Sequence, residues 1–378
     1  MISLDKEQIY LLELIKSSLF GKTPEIPEDA NWEKIFESAK KQCIVPLLVP
    51  SVPTEYREKW NAIAYQNKAH YMQMIYEQNS LVNLLNYANI PFVILKGTVA
   101  AIYYPAPLLR SFGDVDVYVA NEHWNSAKKI LKDNEYIYLS QDDRTYEFEK
   151  NGIGFDFHTR FSCRYYNDID HIVINGMNNA VEYQMLDNSF PGLPNYENGL
   201  VLLGHIMQHL NDSGIGLRQI IDWMMFVHNN LNDSKWNNFF KPLAVEAGLE
   251  KLAIAVTSMC IKWLGLSDEI TWCNNSNDDL SDQLLLRILS DGNFGHDRAP
   301  VENIRKAIKE EGFFKFLQRV GLTNWTLARK CIVFRPFAWL YQICRFACMG
   351  ILRIISGKKV FKENKKNIKL EDLLDRLN

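Results

Sequence analysis

IPFVILKGTVAAIYYPAPLLRSFGDVDVYV, residues Ile90–Val119, is the stretch from which the fold is read. An apolar run, Phe92-Val93-Ile94-Leu95, ends at Lys96-Gly97-Thr98. A short helical segment follows, then a loop broken by Pro105 and Pro107. Arg110-Ser111-Phe112-Gly113 then leads into a second strand, Asp114-Val115-Asp116-Val117-Tyr118-Val119. Alternate residues of a strand share a face. Val115, Val117 and Val119 therefore point into a core, while Asp114 and Asp116 lie side by side on the other face. Adjacent carboxylates repel unless a cation sits between them, so the pair is suited to holding Mg²⁺ or Mn²⁺.

Working outward, strand 91–96 precedes helix 97–104, strand 114–119, a helix over 121–134 and a strand-like run at 136–139. Residues 145–150 and 153–158 flank Asn151-Gly152, a hairpin signature, because both turn positions tolerate positive φ. Alternation puts Ile153, Phe155 and Phe157 on one face and Asp156 and His158 on the other. A third carboxylate thus joins the first two from a neighbouring strand. The sequence predicts an α+β chain in which residues 89–190 form the α/β core, a mixed sheet with flanking helices.

Residues 1–88 read as a helical region, with a stripe at Leu11, Leu12, Leu14 and Ile15 and a long helix over 54–88. Residues 191–325 return to helix, beginning with the pair 197–211 and 216–230 and continuing near 246–264, 280–290 and 302–320. The loop Asp291–His296 is rich in turn formers. Residues 326–378 form a basic amphipathic segment. Arg329, Arg335, Arg345, Arg353 and a lysine cluster up to Lys366 interleave with Phe337, Trp339, Ile343 and Ile351. Such a segment, over 329–366, suits peripheral contact with an anionic membrane surface or an acidic partner, or simply a solvated face over an apolar packing surface.

The whole chain has 378 residues and a formal net charge of −3. No global positive field points to nucleic acid. Its seven cysteines are odd in number and lack CxxC pairs, which argues against a disulfide framework. The start, MISLDKEQIY, has no apolar signal core, and no apolar run reaches membrane-span length. These features lead to the expectation of a cytoplasmic protein.

A glycine at a strand-to-helix turn lets phosphate approach backbone N–H groups, which gives Gly97-Thr98 a phosphate-cradling reading. The chain here resembles the uncharacterised bacterial nucleotidyltransferases of the polymerase-β superfamily. The resemblance rests on Leu95-Lys96-Gly97, Tyr104-Pro105 and Arg110-Ser111-Phe112-Gly113-Asp114-Val115-Asp116. It extends to Val45-Pro46-Leu47-Leu48 and to His205, His209, Gly216-Leu217-Arg218 and Asp222, covering residues from about 5 to 300. It implies a polymerase-β-like core and NMP transfer from an NTP, such as ATP, to an acceptor hydroxyl. Asp114, Asp116 and Asp156 are then the catalytic and metal-binding residues, and Lys96, Gly97, Thr98, Arg110 and Gly113 the nucleotide-binding ones. Sugars, sugar phosphates, protein hydroxyls and RNA ends are all open as acceptors, and a link to surface-polysaccharide synthesis is implied. The superfamily's usual Gly-[Gly/Ser] turn departs here to Gly97-Thr98.

Plainer readings stand beside these. Lys96 reads as a surface lysine or a phosphate ligand, and Arg110 as a brace for the Asp114 loop or a substrate contact. His158 reads as a proton relay or a hydrogen-bonded structural histidine. His205 and His209, spaced i, i+4, read as a packed or acceptor-side pair, since a zinc site needs further ligands. Arg218 and Asp222, also i, i+4, read as an ion pair on one helix face or a nucleotide-side pair. Asp116→Asn is expected to leave folding intact and abolish transfer. The competing functions are a non-catalytic nucleotide-binding scaffold and a Mn²⁺-dependent glycosyltransferase using D-x-D. The absence of a long alternating βα pattern counts against the latter.

Overall fold

Seven short strands carry the core. In chain order they are β1 (Val93–Leu95), β2 (Val115–Tyr118), β3 (Ile137–Gln141), β4 (Thr145–Lys150), β5 (Ile153–His158), β6 (Val181–Met185) and β7 (Asn188–Gly192). They form one sheet in the order β3-β4-β5-β2-β1-β7-β6. β2 runs antiparallel to β1 and parallel to β5, and β1 runs parallel to β7, so the sheet is mixed. This is the α+β architecture expected from the sequence. The computed structural model describes residues 4–142, 144–161, 165–211, 214–274, 278–292 and 312–324, with a few short pieces beyond.

The hairpin of β4 and β5 forms as its turn dictates, with Asn151 at φ 51 and Gly152 at φ 78. Ile153, Phe155 and Phe157 are fully buried. Each such burial contributes about 1.5–3 kcal/mol. They share one face of the sheet with Val115 and Val117, and that face packs on the long helix α4 (Arg57–Tyr87) through Tyr71, Ile75 and Leu81. Helix α6 (Asn121–Asp133) covers the same face with Trp124 and Leu131.

The opposite face carries Val93, Leu95 and Tyr118 into a second core. That core is built by α1 (Lys6–Phe20), α2 (Trp32–Lys41), the single turn α3 (Val45–Leu48), α7 (Asp170–Asn178), α8 (Asn195–Asn211) and α9 (Leu217–Asn230). Helix α1 starts at a capping box between Asp5 and Gln8 and stops at Gly21, which is left-handed at φ 68. The polar residues of β2 and β5 look toward this second core, so the site lies where the sheet meets the helices.

Strands β6 and β7 were not expected. β7 reads Asn188-Ser189-Phe190-Pro191-Gly192, a composition that signals a turn. It pairs because Tyr183 of β6 lies across Gly192, where any Cβ would sit 2.6 Å from the tyrosine ring. The observed β1 and β2 are also shorter than the strands read over 91–96 and 114–119.

The chain divides into two compact units, Met1–His296 with Ile368–Asn378, and Asp297–Asn367. The described part of the second is mainly the helix Phe313–Asn324. Most of the loop at 291–296, the start of the helix expected over 302–320 and most of the basic segment 326–378 lie outside the described residues. Among the described residues no helix is long and apolar enough to cross a membrane. Cys260, Cys273 and Cys344 are free thiols.

Candidate active site

The strand registers assemble the carboxylates. β2 and β5 run parallel with Asp116 opposite Asp156 and Tyr118 opposite His158. On the other side, β1 places Leu95 opposite Asp116, so Lys96 emerges beside that carboxylate. Asp114 precedes β2 and opens to solvent, whereas Asp116 is buried. The turn that starts α5 (Gly97–Ala101) lies against this mouth, because a Cβ on Gly97 would rest 3.6 Å from the Asp114 carbonyl oxygen. Lys96 holds the turn at φ 44 and ψ −107. Such a conformation in a non-glycine residue costs on the order of 1–3 kcal/mol and concentrates at functional sites.

Lys96 Nζ lies 2.6 Å from Asp116 Oδ1, and His158 Nε2 lies 2.8 Å from the same oxygen. Thr145 Oγ1 is 3.2 Å from His158 Nδ1. A neutral imidazole protonated on Nε2 satisfies both contacts, donating to Asp116 and accepting from Thr145. Burial and the Lys96 charge hold the His158 pKa below its ordinary value, which fits this neutral form. Burial alone would raise the Asp116 carboxyl, but the Lys96 ammonium and the His158 hydrogen bond override it and hold the group well below the usual range.

The other two carboxyls move the opposite way. Partial desolvation and the charges of Asp116 and Asp114 push Asp156 up to about 8. Asp114 is also raised, by the protein walls around it and by Asp116. Ionised together, the three carboxylates would carry more negative charge than Lys96 balances. Three hard oxygen donors with unbalanced charge suit a divalent cation such as Mg²⁺. As arranged, however, Lys96 and His158 take Asp116 Oδ1, and among the described residues no three His, Cys, Asp or Glu side chains close into a metal cage. The donor set fits a divalent ion only once the Lys96 ammonium gives way.

The Asp156 shift sets a pH dependence. Between the ordinary carboxylate value of 3.8 and about 8, the folded chain keeps a proton that the unfolded chain has released. Stability on this account falls as pH rises through that window. In the absence of divalent ions, Asp156→Asn is expected to melt close to wild type near pH 5. At pH 8 it should melt higher by on the order of 1–2 kcal/mol, or roughly 3–6 °C. Thermal melts of both proteins across this range check it, and a gap that does not widen with pH would contradict it.

The structure gives the other residues singled out in the sequence these surroundings. The Thr98 hydroxyl donates to Gln78 Oε1 at 2.6 Å and is buried, so it faces the core instead of a phosphate. Gly113 is exposed with open space above it. Arg110 is a brace: Nε and Nη2 reach Asp222 Oδ1 and Oδ2 at 2.7 Å each, and Nη1 donates to the Ser111 carbonyl. Asp222 is therefore gripped by a residue 112 positions away in sequence, not simply by Arg218 on its own helix. Tyr104 OH completes the grip at 2.8 Å from Asp222 Oδ1. Arg218 Nη1 donates to the Ser111 carbonyl, so both arginines fasten the loop before Asp114. The expectation that Asp116→Asn leaves folding intact also changes, because Asp116 anchors a buried lysine and a histidine.

His205 and His209 pack edge to face with ring centroids 4.2 Å apart. Burial, then the His209 and Lys96 charges, hold His205 well below its ordinary pKa. His205 helps to line a pocket with Lys96, His158, Arg144, Arg160 and Gln208. Sequence reasoning missed Arg144, Arg160 and Gln208. The alternation that selected Asp156 and His158 continues to Arg160, and helical spacing links Val201, His205 and Gln208, so a signal was present.

The chain matches the family model described as uncharacterised nucleotidyltransferase over residues 28–265. Among solved structures it is similar to the antibiotic-resistance factor ANT(2'')-Ia, at 11% identity and a TM-score of 0.36, over 46% of this chain and 92% of that one. It is also similar to an antigenic nucleotidyltransferase-like protein from Paracoccidioides brasiliensis, at 12% identity and a TM-score of 0.32, over 52% of this chain and 94% of that one. No curated protein matches it.

Proposed function

Because this chain belongs to the uncharacterised nucleotidyltransferase family, we propose that it moves an NMP from an NTP to an acceptor hydroxyl in a Mg²⁺-dependent reaction. The acceptor oxygen forms a bond to the α-phosphorus, the bond from that phosphorus to the bridging oxygen breaks, and pyrophosphate leaves. Asp114 and Asp116 would hold the metal, with Asp156 completing the site. A divalent ion there would supply charge stabilisation to the phosphates and activate the attacking oxygen.

The chain's own residues account for the rest. Asp156 takes the proton of the attacking hydroxyl. It sits beside Asp116 in register, at the end of the row from which an acceptor hydroxyl would approach. Lys96 shields Asp116 in the resting enzyme, and an incoming triphosphate offers its ammonium a second anion. The Gly97 turn, free of a side chain beside Asp114, leaves room for phosphate oxygens at that end of the row. The Arg110–Asp222 grip fixes the loop that aims Asp114.

The observation that carries this reading is the register match of Asp116 with Asp156, with Asp114 open at the mouth. A thermal-shift screen of the four NTPs, with and without Mg²⁺ and beside Asp114→Ala, tests it. A metal-dependent rise that the variant loses is expected. The absence of a shift with every NTP would overturn it.

A further inference from the structure

The pocket beside His158 is charged in one sense. Lys96, Arg144 and Arg160 line it together with His158, His205 and Gln208; among the described residues its lining contains no carboxylate, and Asp116 pairs with Lys96 at its edge. Its walls are held in place. The His158 ring stacks on Phe161 with centroids 5.5 Å apart and planes 23° apart. Tyr166 donates to the Phe161 carbonyl at 2.8 Å. Its ring lies against α8 at Gly204, where a Cβ would approach it to 3.2 Å. A side chain there would push the ring by a few tenths of an ångström, so the glycine lets α8 bring Val201, His205 and Gln208 to the pocket without that shift. Arg160 is exposed at the rim.

Position decides what this pocket serves. Leu95 pairs with Asp116 in antiparallel register, so the Gly97 turn lies at the Asp114 end of the carboxylate row. Asp156 pairs with Asp116 and His158 with Tyr118, so the Arg160 side of the pocket lies toward the other end. Asp156 to His158 is two residues of strand, about 6–7 Å, and Arg160 lies a similar step beyond. Donor phosphates at the Gly97 end leave the cationic pocket vacant for a second anion, on the side of the base.

We infer that the Arg144, Arg160, His205 and Gln208 side of this pocket binds the anionic group of the acceptor, a hydroxyl-bearing monophosphate of about the size of a sugar phosphate. The inference rests on the nucleotidyltransferase reading for the term acceptor, though not for the pocket's charge. The phosphate sits beside the two arginines, which favour a doubly charged anion over a neutral sugar. Its hydroxyl, about 6–10 Å away, then reaches Asp156. There it loses its proton to the carboxylate as its oxygen bonds to the α-phosphorus and pyrophosphate departs.

The test is a thermal-shift and titration series on the full chain. The probes are glycerol 3-phosphate, ribose 5-phosphate and glucose 6-phosphate, each beside its unphosphorylated counterpart, and a short RNA oligonucleotide. The series is run with and without NTP and Mg²⁺, on wild type and Arg160→Glu. At least one monophosphate is expected to stabilise wild type, its neutral counterpart not, and the effect is expected to persist with NTP present. Arg160→Glu should weaken that binding roughly tenfold or more while the NTP shift remains. No monophosphate effect in wild type, an equal effect in the variant, or a response to RNA alone would each overturn the inference. So would loss of the NTP shift in Arg160→Glu, which would make the pocket a donor site. A wild type that binds the monophosphate through Arg160 yet shows no NTP shift would overturn the transferase reading and leave the anion pocket standing.

Discussion

Asp114→Asn is expected to lower nucleotidyl transfer by about a thousandfold or more, with the protein still folded. A lost ligand to a charge-stabilising divalent ion removes several kcal/mol of transition-state stabilisation, and about 4 kcal/mol corresponds to a thousandfold. The side chain is open to solvent, so its replacement empties no core volume. It also relieves the repulsion that raises Asp114 and Asp156. The melting temperature without divalent ions should therefore match wild type or exceed it slightly. Asp116→Asn behaves differently, because it leaves the Lys96 ammonium buried without its carboxylate partner at 2.6 Å and weakens the contact with His158. Activity and stability fall together there. Asp114 thus separates chemistry from folding, and near-normal transfer by Asp114→Asn would remove the carboxylate row from the mechanism.

Asp222→Ala is expected to destabilise the fold by about 3–5 kcal/mol, which is the usual cost of leaving a buried charge unpaired. The Arg110 guanidinium is buried at 6% relative exposure. Burial opposes its charge, and the Asp222 carboxylate more than offsets that, holding the pKa above its ordinary value. Removing the carboxylate strands the guanidinium and the Tyr104 hydroxyl at once. For a unit of this size the loss corresponds to a fall of roughly 6–20 °C in melting temperature. Replacing both partners with apolar residues, as Arg110→Met with Asp222→Leu, should recover part of the loss, since the desolvation cost goes with the charges. Urea or thermal unfolding of the single and double variants measures this. A single variant as stable as wild type would show that the grip does not hold the Asp114 loop.

Local patterns carried much of the fold and the site. The alternation in Asp114–Val119 placed the valines on one face and Asp116 on the other, and the Asn151-Gly152 turn fixed the β4–β5 hairpin that puts Asp156 and His158 on one face. Those features depend on residues one or two positions apart, so a single sequence displays them. What stayed hidden depends on partners far along the chain. Gln78 on α4 captures the Thr98 hydroxyl, and Asp222 on α9 captures Arg110. Nothing within a few residues of Thr98 or Arg110 announces either partner. β7 was hidden for a related reason, since its Pro191-Gly192 composition signals a turn and only the Tyr183 ring across it explains the glycine. Lys96 was legible as a position and not as a conformation, because its positive φ is imposed by the sheet and helix on either side.

The most direct measurement is a transfer assay with an NTP labelled at the α-phosphate, supplied with Mg²⁺ and in turn with glycerol 3-phosphate, ribose 5-phosphate and glucose 6-phosphate, for wild type and Asp114→Asn. Pyrophosphate release matched by label on the acceptor, dependent on the metal and lost in the variant, is the predicted result. Label that stays in the NTP while the NTP binds, or label transferred equally by Asp114→Asn, would contradict the account.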